Sequence, residues 1–119
     1  MANVLCIGVS EGVSKEHGAA LEGAGHSLSQ AKDVRQVISA CSGIQFDVVI
    51  IGYRLPPMEK LRVGDIVRQH CGRAKILELY ESAQRQLPGA DAHLRVRPTF
   101  MGDLLTAINQ LSMNRRKTA

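Results

Sequence analysis

Apolar and polar positions switch between two periods along this 119-residue chain. Val4-Leu5-Cys6-Ile7 is an unbroken apolar run closed by Gly8, the pattern of a short strand buried on both faces. From about residue 14 the spacing turns helical, with Val13, Ala20, Leu21 and Ala24 on one side and Gly23 and Gly25 as the stop. Ser27-Leu28-Ser29-Gln30-Ala31 is half polar and suits an edge strand. Asp33 opens a second helix, in which Val34, Val37, Ile38 and Cys41 recur at i, i+3, i+4 and i+7 before Gly43. Phe46-Asp47-Val48-Val49-Ile50-Ile51 contains four consecutive β-branched residues and predicts the strongest strand, closed by Gly52.

Leu55-Pro56-Pro57 then breaks the chain. A third helix over roughly residues 58–71 turns Val63, Ile66 and Val67 inward and Lys60, Arg62 and Arg68 outward. Residues 75–80 predict a fourth strand, and Pro88-Gly89 marks a turn. Residues 92–96 predict a fifth strand. Thr99 is the expected N-cap of a last helix with Met101, Leu104, Leu105, Ile108 and Leu111 on one side. Strands alternating with helices predict an α/β, flavodoxin-like three-layer sandwich around a five-stranded parallel sheet of order 2-1-3-4-5. One domain is expected over residues 1–113, followed by a short basic tail at 114–119.

Composition narrows the setting. With 45% apolar and 22% charged residues the chain is neither disordered nor fibrous. No apolar run approaches the ~20 residues of a membrane span, and no leader pattern opens the sequence. Three cysteines (Cys6, Cys41, Cys71) form an odd set without CxxC. That predicts no disulfide framework, core packing for Cys6 and Cys41, no thiol-bound metal, and a reducing cytoplasm. The net charge of +4 invites a nucleic-acid reading. Residues 1–94 balance, however, and the excess comes from Arg95, Arg97, Arg115, Arg116 and Lys117 against Asp103.

The run from Phe46 through Gly52-Tyr53-Arg54-Leu55-Pro56 resembles the third strand and its exit in response-regulator receiver domains. Gly89-Ala90-Asp91-Ala92-His93-Leu94, followed by Arg97-Pro98, resembles that family's fifth strand and Lys-Pro step. The resemblance covers about residues 3–112. It implies a phosphoryl acceptor aspartate at the end of the third strand and an acidic pair for Mg²⁺ after the first. It also implies a Thr or Ser ending the fourth strand and a Lys after the fifth. Those positions fall on Gly52, on Gly8 and Val9, on Tyr80, and on Arg97, the last with one extra residue of spacing.

Elementary chemistry then removes the activity. Glycine has no nucleophile, so Gly52 cannot form an acyl phosphate. Mg²⁺ needs hard oxygen ligands, normally including carboxylates, which Gly8 and Val9 do not supply, and nearby Glu11 suits the first turn of a helix instead. The expectation is a receiver-like module that is not an enzyme, takes no cofactor or Mg²⁺, and acts without phosphorylation. It would work through contacts with a signalling protein of unknown identity, with homodimerisation left open. Only eight residues separate Tyr80 from Gly89, fewer than a parallel crossover usually takes, so the fourth helix of the family is expected to be missing or shortened. Glu78, mid-strand, then implies a sheet face open to water.

Two other readings stand beside this one. A small anion or nucleotide could sit at the carboxyl ends of the strands near Gly8 and Gly52, with Arg54 and Arg97 as charged contacts. Weak nucleic-acid association through Arg115, Arg116 and Lys117 lacks interleaved aromatic residues. His17, His26, His70 and His93 have no ligand spacing and read as surface or internally satisfied side chains. Gly18, Gly23 and Gly25 lie in or after a helix, so a dinucleotide loop fails on context. No Ser-His-Asp or Cys-His pairing falls at a strand end, and no Asp-x-His-x-x-Gly loop for cobalamin follows the first strand.

Overall fold

The computed structural model describes residues 2–8, 18–81, 87–96 and 101–118, with side chains in the last stretch described over 103–112. Strands β1 (Asn3–Ile7), β2 (Ser27–Ala31), β3 (Val48–Ile51), β4 (Lys75–Tyr80) and β5 (Ala92–Arg95) form one parallel sheet of order β2-β1-β3-β4-β5. Helix α1 is described over residues 18–23, and α2 (Val34–Gly43), α3 (Pro57–His70) and α4 (Met101–Thr118) follow. This is the three-layer flavodoxin-like sandwich expected from the alternating periods. The backbone of α4 continues through residues 114–118. Val9, Glu11, Arg97, Thr99 and segment 82–86, on which the shortened fourth helix was expected, lie outside the described residues.

Local chemistry explains the boundaries. The Asp33 carboxylate caps α2 by accepting the Gln36 backbone N–H at 2.9 Å, as its position predicts. Pro57 opens α3 at a position whose N–H needs no partner. All four residues of β3 are buried, in keeping with its continuous β-branched run. Alternate positions along each strand feed two cores. Leu5, Ile7, Val49, Ile51 and Ile76 pack under α2 and α3 with Val37, Val63 and Val67. Val4, Cys6, Val48, Ile50, Leu77 and Leu79 pack on the other face with Leu21, Leu104 and Ile108. His26 is internally satisfied: Nδ1 accepts the Ala2 N–H at 2.9 Å, leaving Nε2–H to donate to Asn109 Oδ1 at 2.9 Å.

Three expectations are corrected. Lys60 does not point outward; it is 1% exposed, because it lies one turn before Val63 and Gly64 on the stripe that faces the sheet. Glu78 does not face water; it is fully buried and ion-paired to Lys60. Cys41 and Cys71 are joined by a disulfide across 5.5 Å between their Cα atoms. An odd cysteine count leaves room for one bridge, and here the last turn of α2 meets the C-cap of α3. Cys6 alone remains a free core thiol, and burial pushes its pKa up from 9.0 to about 12.

Candidate functional site

Parallel α/β sheets present their ligand crevice at the carboxyl ends of the strands, next to the switch point between β1 and β3. Gly8 ends β1 there with φ of +83°, a left-handed conformation that a side chain resists. A Cβ on Gly8 would meet Leu55 Cγ at 2.6 Å and Leu55 Cδ1 at 3.0 Å. Leu55 thus occupies the space into which a side chain at Gly8 would project. Buried Gly52 follows β3 and donates its N–H to Ile7 O at 2.7 Å, while Arg54 N–H donates to Gly8 O at 2.9 Å. These bonds lock the two strand exits together and leave the Arg54 side chain exposed.

The sheet register brings Tyr80 to the same edge. Tyr80 ends β4, pairs with Arg95 of β5, and accepts the Val96 N–H at 3.0 Å through its carbonyl. Gly8, Gly52 and Tyr80 therefore lie together at the carboxyl ends of β1, β3 and β4, and Arg97 and Val9 lie outside the described residues. None of the three supplies a carboxylate. Among the described residues no group of His, Cys, Asp and Glu could hold a metal ion.

A polar cluster that sequence reasoning missed lies one layer deeper. Lys60 Nζ donates to Glu78 Oε2 at 2.8 Å and to Leu79 O at 3.0 Å. His93, opposite Glu78 in the β4–β5 register, places Nδ1 2.7 Å from Glu78 Oε1. The cluster ties the first turn of α3 to the β4–β5 half of the sheet. Arg68 adds a more exposed tie, donating to Gly89 O and lying 3.5 Å from Asp91 Oδ2. The sequence does hold a signal for the cluster. Lys60, Val63, Gly64 and Val67 fall at i, i+3, i+4 and i+7, so Lys60 occupies a core position opposite a strand that carries an inward acid.

No protein-family model matches the sequence, and no curated protein is similar to it. Solved structures do share the fold. A CheY-like response regulator receiver domain protein from Methanospirillum hungatei superposes with a TM-score of 0.85 at 18% identity, over 100% of this chain and 99% of that one. Chemotaxis response regulator CheY4 of Vibrio cholerae gives 0.77 at 24% identity, over 93% and 98%. Response regulator TrrA from Thermotoga maritima, in complex with Mg²⁺–BeF, gives 0.76 at 17% identity, over 93% and 99%. The chain has the receiver fold. No described helix is long and apolar enough to cross a membrane.

Proposed function

We propose that this chain is a phosphorylation-independent receiver-like module of two-component or phosphorelay-type signalling, not an enzyme, that acts through protein–protein contacts. In this reading Gly52 stands at the phosphoacceptor position, Gly8 and Val9 at the acidic pair, Tyr80 at the hydroxyl position and Arg97 at the lysine. The observation that carries it is the seating of Leu55 over Gly8. An acidic side chain there would have to displace a packed leucine and adopt a disfavoured backbone conformation. Gly8, Gly52 and Tyr80 carry no carboxylate, so these positions give Mg²⁺ no carboxylate ligand and a phosphoryl group no acceptor. The same leucine fills the space beside Gly8, which weighs against a small anion seated there.

The partner class follows from the fold's company. One similar structure is that of histidine kinase ThkA in complex with response regulator TrrA, matched with a TM-score of 0.75 at 17% identity. A receiver-shaped chain that accepts no phosphoryl group would occupy such a surface without consuming the signal. Its setting in this reading is the cytoplasm, on the signalling context alone, since the Cys41–Cys71 bridge removes the argument from cysteine usage. The test adds increasing amounts of the chain to a histidine kinase and its phosphorylatable receiver from the same cell. Labelled phosphoryl transfer to that receiver is expected to fall while the chain stays unlabelled. Stoichiometric label on the chain, or no effect on transfer at saturating concentration, overturns the proposal.

A further inference from the structure

At the opposite end of the sheet, a cavity of about 380 Å³ lies between the C-terminal ends of α2 and α3, beside the entries to β3 and β4. Its wall contains both halves of the Cys41–Cys71 disulfide. Ser42, Ile44, His70 and Arg73 also line it, and all four are exposed. The cavity is large enough for a small organic molecule. Its two sulfurs differ in access, since Cys41 is half-buried and Cys71 is only 8% exposed. Among the described residues no Asp or Glu lines the cavity, whereas Arg73 and, when protonated, His70 supply positive charge. That charge opposes the negative ends of the two helix dipoles and favours an approaching thiolate.

We propose that this cavity is a thiol–disulfide exchange site that admits a small anionic thiol of the glutathione class, with Cys41 as the sulfur attacked. The incoming thiolate forms a bond to Cys41 Sγ while the Cys41–Cys71 bond breaks and its electron pair leaves on Cys71 Sγ, which takes a proton. A second thiol then attacks the external sulfur of the mixed disulfide. It departs with the first as a small-molecule disulfide and leaves two protein thiols. The small thiols are oxidised and the protein disulfide is reduced; the reverse sequence restores the bridge. Cys6 does not enter the exchange, because it is buried in the opposite core and its thiol is held almost wholly protonated. Opening the bridge removes the covalent tie between the ends of α2 and α3 and frees a chain segment closed over 30 residues.

The test uses the full chain, oxidised and folded, exposed to reduced glutathione and quenched with acid at intervals for peptide mapping. A mixed disulfide is expected on Cys41, with Cys6 unmodified until denaturant is added. The native rate should stay within about tenfold of the rate in denaturant, as for an accessible disulfide. Arg73→Glu should slow glutathione at least about threefold while leaving a neutral thiol such as 2-mercaptoethanol unchanged, by loss of electrostatic attraction. Cys71→Ser should accumulate the Cys41 adduct from oxidised glutathione, and Cys41→Ser should react at least about tenfold more slowly because its remaining pocket thiol is buried. The inference is overturned by any of three results. These are three free thiols in air-equilibrated native chain, exchange seen only in denaturant, or modification falling on Cys71 as readily as on Cys41.

Discussion

Replacing Lys60 with Met should destabilise the domain out of proportion to the volume changed. Lys60 and Glu78 are 1% and 0% exposed and sit 2.8 Å apart. The attraction between them offsets a large desolvation cost, and deleting one partner leaves the other charge buried, typically at about 3–5 kcal/mol. Glu78 would keep its contact with His93, which is 19% exposed and offers less compensation than a buried ammonium. With a urea slope of about 1.5 kcal/mol per molar, a loss of about 4 kcal/mol lowers the midpoint by roughly 2.7 M. That is a large share of the ~5–15 kcal/mol that holds a domain of ordinary stability. Pairing Lys60→Met with Glu78→Leu removes both charges, leaves only the partly exposed His93 without its acid, and should return most of the stability, within about 1–2 kcal/mol of the native chain. Urea unfolding followed by circular dichroism measures all four corners of this cycle. A cost below about 1 kcal/mol for Lys60→Met alone, or a double variant no more stable than the single, refutes the argument that the pair is buried and mutually compensating.

Other outcomes follow from the same packing. Gly8→Asp should cost about 2–5 kcal/mol by thermal or urea unfolding, from a left-handed backbone and the overlap with Leu55, and a second change, Leu55→Ala, should recover part of it. Reducing the Cys41–Cys71 bridge, whose cysteines are 30 residues apart, should lower stability by about 3–4 kcal/mol through the entropy returned to the unfolded chain, measured by urea unfolding with and without reductant. Cys6 has a folded pKa of about 12 against 9.0 unfolded, so its contribution is complete below pH 9 and is lost as pH rises toward 12. In that window Cys6→Ala should unfold with a pH slope shallower by about 1.4 kcal/mol per unit, and an unchanged slope would contradict the buried protonated thiol.

The elements were legible because each carries its own period. The polar-apolar mix of Ser27–Ala31, the β-branched run of Val48–Ile51 and the 104, 108, 111 stripe of α4 each specify which faces are buried. The strand-end rim was legible for the same reason. Gly8, Gly52 and Tyr80 close their strands, and parallel pairing brings such ends to one edge. What escaped depends on tertiary registration. Leu55 reads as part of a chain break, and only the return of the β3 exit over β1 seats it against Gly8. Lys60 and Glu78 each read as tolerable alone, one on a helix surface and one on an open sheet face, and their pairing needs α3 laid across β4. The Cys41–Cys71 bridge joins the ends of two helices that local patterning does not orient relative to each other.

In the proposed reading the strand-end rim binds neither Mg²⁺ nor a phosphoryl group, and the similar receiver TrrA, described with Mg²⁺–BeF, supplies the probe. Titrating the isotope-labelled chain with Mg²⁺ and beryllofluoride while following amide resonances of Gly8, Gly52 and Tyr80 tests it most directly. The account predicts no saturable shift at these residues with the metal alone or with both. A saturable, Mg²⁺-dependent shift centred on Gly8 and Gly52 would contradict it.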